Sequence, residues 1–567
     1  MKGQLLPLFG LLAASVTALR HSESHRKLLQ YLRGAEPVDY LEAQGGPSVI
    51  QAREQPDKAS NSFLNDKTKK YAVDGAKLPD VDFDLGPSFS GLMPISNKDK
   101  LDNLFFWFFP SDNEEFRKKK EITIWLNGGP GCSSLLGFLQ ENGPMQWRPG
   151  MSKPLANPWS WTHLTNVVWV EQPVSVGFSK GKVTIHNEDE LAQQFMGFWK
   201  NFVDTFSMQG YDVYIAAESY GGMYGPYISS HFVNAKDTKY YNLKGLMVVD
   251  GISFDSDVQS EVIVESFVAQ NYVLMPFDDM TMAAIHNVSE QCGYRDYLKK
   301  YYAYPPAGPQ PSSTPWTHKL ANGTVVYKDG CGNLWDFVFR KALSNNPSFN
   351  IYNLLNFSPA PVYDPLGDKP YFNREDVKKA LHAPLDIQWG ECVDTPFVQY
   401  KDMSAPPSLR ELPNVIDKTK NVMYVQGGMD FILPPSGVLL GIQNMTWGNK
   451  MGFQSRPSAP FYVPRYGYDF NGNKFYGSTF AEKSGVLGTT HEERGLTVVV
   501  TVQAGHEGPE FAGAASIRQL EKLLGRVKSL SDTEPFTFPQ LRNIPQDKKP
   551  LGKGTYPIPF LGTAPCE

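Results

Sequence analysis

Val213-Tyr-Ile-Ala-Ala-Glu-Ser-Tyr-Gly-Gly222 is the stretch on which the fold turns. Its opening residues are β-branched, aromatic or small and apolar, and they read as a buried strand ending at Ala217. Ser219 then sits at a turn, and two glycines leave room for a helix to follow closely. In this strand–turn–helix setting a serine hydroxyl stands exposed at the top of a sheet, provided the two flanking positions are small. Ala217 and Gly221 fill those positions. The small-x-Ser-x-Gly pattern alone says little, so the reading rests on what surrounds it.

Outward from this stretch, short apolar runs bounded by turn residues recur. They are Leu104-Phe-Phe-Trp-Phe-Phe109, Ile122-Thr-Ile-Trp-Leu126, Val167-Val-Trp-Val170, Leu246 to Val249, Val422 to Gln426 and Leu496 to Val502. Near-continuous apolar runs suit strands buried on both faces. Helical stretches intervene, such as Leu191 to Phe206 behind an acidic start at Glu188-Asp-Glu190. Strands alternating with helices predict an α/β protein with a doubly wound, mostly parallel sheet. The rhythm breaks between about residues 253 and 365, where helix-like Ser260 to Val273 is followed by the Pro-rich Tyr304 to Pro315. We read this as a cap inserted over the carboxyl edge of the sheet.

A serine hydroxyl is a weak nucleophile and needs a general base, whose tautomer a third group must fix. In proteins with this kind of turn the order along the chain is Ser, acid, His. Of the ten histidines, His491 and His506 lie beyond the Val422 strand. His506 follows the Leu496 strand at its carboxyl end, whereas His491 precedes it. Asp430 follows Val422-Met-Tyr-Val-Gln-Gly-Gly-Met429, again where a strand opens into a loop. Ser219, Asp430 and His506 thus share the edge on which α/β sheets carry their ligand sites. Trp125-Leu-Asn-Gly-Gly-Pro-Gly131 leaves the Ile122 strand as a glycine-rich loop whose amides could face a developing oxyanion. No Gly-Lys-Ser/Thr follows, so it is not a phosphate loop.

The 567 residues carry 54 Lys+Arg against 59 Asp+Glu, a net charge of -5 without a basic footprint, which argues against nucleic-acid binding. Residues 1–18 read as a secretory signal: Lys2, an apolar Leu5 to Val16, and a small-residue cleavage site at Val16-Thr17-Ala18. That apolar run is too short to span a bilayer, and no later segment offers a membrane anchor. The expectation is a secreted protein, with vacuolar or lysosomal sorting as the alternative. Residues 19–80 are polar and weakly periodic, a propeptide or N-terminal arm before a catalytic domain at 81–567. Asn287, Asn322, Asn356 and Asn444 head acceptor sequons for glycosylation. Five cysteines, Cys132, Cys292, Cys331, Cys392 and Cys566, allow many pairings, and no CxxC or Cys/His cluster suggests a metal.

Several segments together resemble the serine carboxypeptidase family. They are Trp125-Leu-Asn-Gly-Gly-Pro-Gly-Cys-Ser-Ser134, Glu218-Ser-Tyr-Gly-Gly222, Asp430-Phe-Ile432, Ala504-Gly-His506, Glu171-Gln-Pro173 with Gly177-Phe-Ser179, Tyr371-Phe-Asn-Arg-Glu-Asp-Val377 and Ala380-Leu-His-Ala-Pro384. The resemblance covers roughly residues 83–528. It implies an α/β-hydrolase fold and release of C-terminal amino acids from peptides or proteins through an acyl-enzyme, without cofactor or metal. Ser219 would be the nucleophile, His506 the base and Asp430 the orienting acid. The amides of Gly129 and Tyr220 would form an oxyanion hole. Asn127, Gly128, Glu141 and Glu218 would hold the substrate's terminal carboxylate. Cys132 would pair with Cys392 and Cys292 with Cys331, leaving Cys566 unpaired.

Two glutamates facing a carboxylate would bring three negative charges together, which cannot all ionise without large cost. If the pair holds a proton it can donate a hydrogen bond instead, so activity should be favoured at acid pH. The chain departs from the family at Gly221, where Ala is common, and at Ser175, where Gly is common. Asp430-Phe-Ile continues as Leu433-Pro-Pro, and Glu507-Gly508 follows His506 where Met-Val is common, on the leaving-group side. Trp147, Trp159 and Trp161 are candidates either for a pocket wall or for the core. Acyl transfer to an alcohol, hydrolysis of small esters and a non-catalytic binding protein are the competing readings, the last opposed by the intact Ser219, Asp430 and His506.

Overall fold

The run Leu104 to Phe109 buries side chains on both sides of the strand that contains it. Phe106 and Phe108 enter one apolar cluster, and Phe105, Trp107 and Phe109 enter another. The same division holds for Ile122 and Ile124 against Trp125, and for Val168 and Val170 against Val167 and Trp169. Successive side chains of a strand point to opposite faces, so an unbroken apolar run requires cover on both. The sheet is therefore the middle layer of three.

The computed structural model describes residues 62–96, 101–356, 364–394, 396–466 and 484–543. Eleven strands form the sheet: β1 (Ala72–Val73), β2 (Ser88–Pro94), β3 (Asn103–Phe109), β4 (Glu121–Leu126), β5 (Asn166–Glu171), β6 (Asp212–Glu218), β7 (Leu243–Val249), β8 (Val422–Gly427), β9 (Ala459–Val463), β10 (Gly485–Glu493) and β11 (Leu496–Thr501). Their spatial order is β1-β2-β3-β5-β4-β6-β7-β8-β11-β10-β9. The six strands from β5 to β11 in this order run parallel, and both margins are antiparallel. Every strand read from the sequence is present. The marginal strands β1, β2, β9 and β10 are short or more weakly patterned and carry no comparable apolar run.

Helix α1 (Glu188–Phe206) covers one face with Leu191, Phe195, Phe198, Trp199, Phe202 and Phe206, spaced for one helical stripe. It starts a turn earlier than the apolar pattern suggests because Asn187 caps it, accepting from the Glu190 amide at 2.9 Å. Helix α2 (Gly221–Ala235) follows β6 and is buried for most of its length. On the opposite face helix α3 (Gly513–Leu523) buries Ile517, Leu520 and Leu523. Trp147, Trp159 and Trp161 are core residues; Trp161 packs edge-on to Trp125 at 5.1 Å and donates to Ser516 Oγ at 2.9 Å.

Between β7 and β8 the chain leaves the sheet to form helices Val264–Gln270, Asp279–Gln291, Tyr294–Tyr301 and Leu334–Asn345 and a small hairpin. The helix-like stretch Ser260 to Val273 divides into a wide turn, Asp257–Glu261, and the short helix Val264–Gln270. Cys292–Cys331 closes this segment internally. Trp335 stacks on Phe431 at 5.3 Å and donates to its carbonyl at 2.9 Å, which fastens the segment to the loop after β8. Phe63, within residues 19–80, packs edge-on to Phe108 at 5.2 Å, and β1 pairs with β2. Residues 1–18 and Cys566 lie outside the described residues.

Candidate active site

Four strand ends converge. Asn127 follows β4, Ser219 follows β6, Asp430 stands just beyond β8, and His506 lies beyond β11. Ser219 adopts φ 58, a left-handed conformation that costs a non-glycine residue energy and persists only when its surroundings impose it. Its amide donates to the Val249 carbonyl, and its own carbonyl accepts from the Gly222 and Ile252 amides, each at 2.9 Å. Those bonds hold the turn open between β6 and α2, with Ser219 half-buried. A Cβ at Gly128 would overlap the Tyr220 amide and lie 2.8 Å from Ser219 Cβ. Glycine there lets the β4 loop lie directly against the serine turn.

His506 Nδ1 and Asp430 Oδ2 are 2.7 Å apart, and both side chains are buried. The other Asp430 oxygen accepts from the Ile432 amide at 2.7 Å, which fixes the carboxylate. The two loops meet because Gly427 and Gly505 touch, and any Cβ on Gly427 would overlap the Gly505 carbonyl. The His506 amide donates to the Tyr352 carbonyl at 2.7 Å. Burial alone would depress the His506 imidazole, but the negative charges of Asp430, Glu507 and Glu141 outweigh it and raise its pKa above the usual value. Its buried Nε2 bonds to no described residue. An imidazole fixed by a carboxylate at Nδ1 can take up and return a proton at Nε2. Bonds from such a nitrogen to a serine often form only around bound substrate.

The Gly129 and Tyr220 amides donate to no described residue. They flank Ser219 from the β4 loop and from the serine turn itself. Beside them Asn127 Nδ2 donates to Glu141 Oε1 at 3.0 Å and to Glu218 Oε1 at 3.1 Å, all three side chains being buried. The Asn127 side-chain oxygen, Oδ1, accepts from Trp125 Nε1 at 2.7 Å and from the Gly137 amide at 3.0 Å, which fixes the side-chain amide's orientation. Burial pushes both glutamates up. For Glu218, well above its ordinary range, the next cause is the charge of Glu141. Such a pair retains a proton where isolated carboxyls have lost theirs.

Cys132 is bonded to Cys392, and the flanking backbone adds Ser133 N–H to Glu391 O at 2.7 Å and Val393 N–H to Gly131 O at 2.9 Å. The structure thus brings together Ser219, His506, Asp430, Gly129, Tyr220, Asn127, Gly128, Glu141 and Glu218. His491 lies elsewhere, on β10 with Glu493. Asn287, Asn322 and Asn444 are exposed and Asn356 is half-buried. Among the described residues no cluster of His, Cys, Asp and Glu could hold a metal, and no helix is long and apolar enough to cross a membrane.

Two acids, Asp250 and Glu510, have no part in the sequence reading, and Glu507 enters it only as a departure on the leaving-group side. Burial and then the charge of Asp430 push the Asp250 carboxyl well above the ordinary range, and its Oδ1 accepts from the Gly427 amide at 2.8 Å. Asp250 directly follows β7, so the strand-end rule that selected Asp430 could have found it. Burial pushes Glu507 up to about 8 and Glu510 up to about 7, in the turn after His506. For Glu510 the one signal in the sequence is its position close behind His506.

The family model for serine carboxypeptidases matches residues 79–526. A probable serine carboxypeptidase of Arthroderma benhamiae is 43% identical over 493 residues, covering 83% of this chain and 89% of that protein. Serine-type carboxypeptidase F of Aspergillus niger is 41% identical over 498 residues, covering 82% and 89%. Among solved structures, the prohormone-processing carboxypeptidase Kex1(delta)p of Saccharomyces cerevisiae superposes with a TM-score of 0.62 at 21% identity, over 81% of this chain and 96% of that one. This last likeness is one of fold.

Proposed function

This chain belongs to the serine carboxypeptidase family and is a serine-type carboxypeptidase acting on peptides, and from that premise we propose how its residues divide the work. Ser219 Oγ attacks the carbonyl of the last peptide bond while His506 Nε2 takes the hydroxyl proton. Asp430 holds the imidazole with Nδ1 protonated and stabilises the imidazolium that forms. The oxyanion accepts from the Gly129 and Tyr220 amides, whose donors are otherwise unused. The proton then passes to the leaving amine, the C-terminal amino acid departs, and water enters by the reverse route to free the acyl group from Ser219.

Restriction to the last residue comes from Asn127, Gly128, Glu141 and Glu218. The observation that carries this reading is the shared Asn127 donor between two buried glutamates beside the serine turn. With one proton between them the pair donates to the substrate carboxylate. With none, it repels it. Rising pH therefore weakens binding of peptide acids, and we propose an acid preference on that ground. Protonation of Glu141 and Glu507 at acid pH also removes part of what raises His506, which offsets some of the imidazole's own protonation as pH falls.

Two disulfides fit an oxidising compartment. We propose that residues 1–18 direct secretion and are removed, and that Asn287, Asn322, Asn356 and Asn444 are glycosylated. Because Phe63 packs on Phe108, a maturation cut that preserves this contact lies before Phe63.

The test compares an N-blocked dipeptide with its C-terminal amide at about pH 5 and about pH 8, with Ser219→Ala as blank. Fast release from the free acid, strongest at the lower pH and lost in the variant, is expected. Equal rates on both substrates would discard carboxylate recognition in favour of a general esterase or amidase. No turnover of either would favour acyl transfer or a non-catalytic role.

A further inference from the structure

A second set of buried carboxyls, unused in the mechanism above, adjoins the serine turn. Glu188 opens α1 and is fully buried, and Asp402 is buried in the loop before the helix Glu411–Thr419. Asp402 Oδ2 accepts from the Tyr220 hydroxyl at 2.6 Å, and its Oδ1 accepts from the Ser404 amide at 2.8 Å. Ser404 Oγ in turn accepts from the Glu188 amide at 2.6 Å. The carboxyl oxygens of Glu188 find no donor among the described residues. An ionised Glu188 would be an uncompensated buried charge, so it is held as the neutral acid. Burial, and then the charge of Asp402, push its pKa well above the usual range. Burial raises Asp402 as well. Both of its oxygens accept hydrogen bonds, from Tyr220 and Ser404, whereas neither oxygen of Glu188 has a donor among the described residues, so the charge is placed on Asp402.

Tyr220 matters because its own amide is one of the two oxyanion donors. The other donor, Gly129, sits in the loop where the Gly131 amide donates to the Tyr224 hydroxyl at 3.0 Å. The rings of Tyr220 and Tyr224 meet edge to face at 5.2 Å. One aromatic pair thus ties together the two segments that carry the donors, and the pair is anchored on Asp402. Oxyanion donors act only where they are held against the position at which charge develops. A hydroxyl bonded to a charged acceptor is a stronger anchor than a neutral pair.

We propose that Asp402 is a positioning residue for the oxyanion hole, acting through the Tyr220 hydroxyl with Glu188 beside it. The proposal rests on the reading of the Gly129 and Tyr220 amides as oxyanion donors.

Asp402→Asn removes the charge at constant shape, and Tyr220→Phe removes the hydroxyl alone. For the full-length enzyme, kcat and KM on an N-blocked dipeptide are measured for both variants and their combination. Binding of a peptide aldehyde, which forms a tetrahedral adduct on Ser219, is compared with binding of the corresponding alcohol. Each single variant should lose roughly ten- to a hundredfold in kcat, less than the loss of a whole oxyanion donor, with KM nearly constant. Aldehyde binding should weaken by the same factor and alcohol binding should hold. The double variant should be no worse than the poorer single, because both cut one link. Additive losses in the double variant, or a rise in KM at constant kcat, would overturn the role of Asp402. Wild-type enzyme that binds aldehyde no more tightly than alcohol would overturn the oxyanion reading itself. Tight wild-type aldehyde binding that both variants retain would remove Asp402 alone. If Asp402→Asn does not fold, Tyr220→Phe decides by the same measurements.

Discussion

Glu141 and Glu218 accept from the same nitrogen, Asn127 Nδ2, at 3.0 and 3.1 Å. One glutamate comes from the wide turn after the β4 loop and the other from the last position of β6, so the fold itself creates the pair. Buried like charges at such range cannot both ionise without large cost, and the pair is most stable with one proton.

Glu218→Gln tests the protonated state directly. Glutamine keeps a donor that cannot be lost by ionisation. The fall of kcat/KM for peptide acids at high pH should move upward or flatten, with acid-pH activity within about tenfold of wild type, the worth of one hydrogen bond. Steady-state rates across pH on free-acid and amide dipeptides give the answer. An unchanged alkaline fall would remove Glu218 from the titration.

Asp430→Asn should leave the loop geometry in place, because its remaining oxygen still accepts from the Ile432 amide. The asparagine amide would present a donor to His506 Nδ1 and favour the wrong tautomer. A loss in kcat on the order of 10⁴ is expected, with KM near wild type. A loss below tenfold would assign the orienting role elsewhere.

Stability should fall as pH rises above the ordinary glutamate range. Burial pushes Glu171 up to about 7, as it does Glu510, and Glu507 up to about 8, against 4.5 for an unperturbed glutamate. Below about 4.5 these groups are protonated in both states and contribute no pH dependence. Between there and about 8 the unfolded chain releases protons that the fold retains, which favours unfolding. Tm followed by scanning fluorimetry should therefore drop from about pH 5 to about pH 8, and less steeply in Glu507→Gln. A Tm that climbs over this interval would contradict the protonated burial of these acids.

Replacing Cys132 and Cys392 together by serine opens a link between residues 260 positions apart. Loss of a native bridge of this kind typically costs about 2–4 kcal/mol. Because the bridge clamps the Gly128–Gly131 loop to the segment at Glu391 to Val393, kcat/KM should fall even where the variant is folded. Chemical denaturation with parallel kinetics on the same samples separates the two effects, and unaltered kinetics would make the bridge purely structural.

Much of this architecture is legible in the chain. Strands buried on both faces, such as Leu104 to Phe109, announce themselves because each residue must be apolar. The margins do not. β9 and β10 lie outside the parallel core, and half-exposed residues such as Gly485, Val486 and Leu487 weaken their pattern. Ser219, Asp430 and His506 were readable from their order and from their places at strand ends. Asp250 obeys the same positional rule and was passed over because a lone acid after a strand carries no mark of burial.

The alternation of strands and helices, the serine turn and the chain order of Ser219, Asp430 and His506 are all legible in the amino-acid sequence. These are local matters of periodicity, steric bulk and turn chemistry. That Glu141 stands beside Glu218 and that Cys132 meets Cys392 follow from the family resemblance and from no local pattern, and that Tyr220 rests on Asp402 is visible in the folded structure alone. Those pairings depend on which loops the sheet order brings together. The protonation of the buried acids depends on burial and on neighbours distant in the chain, and no local pattern encodes either.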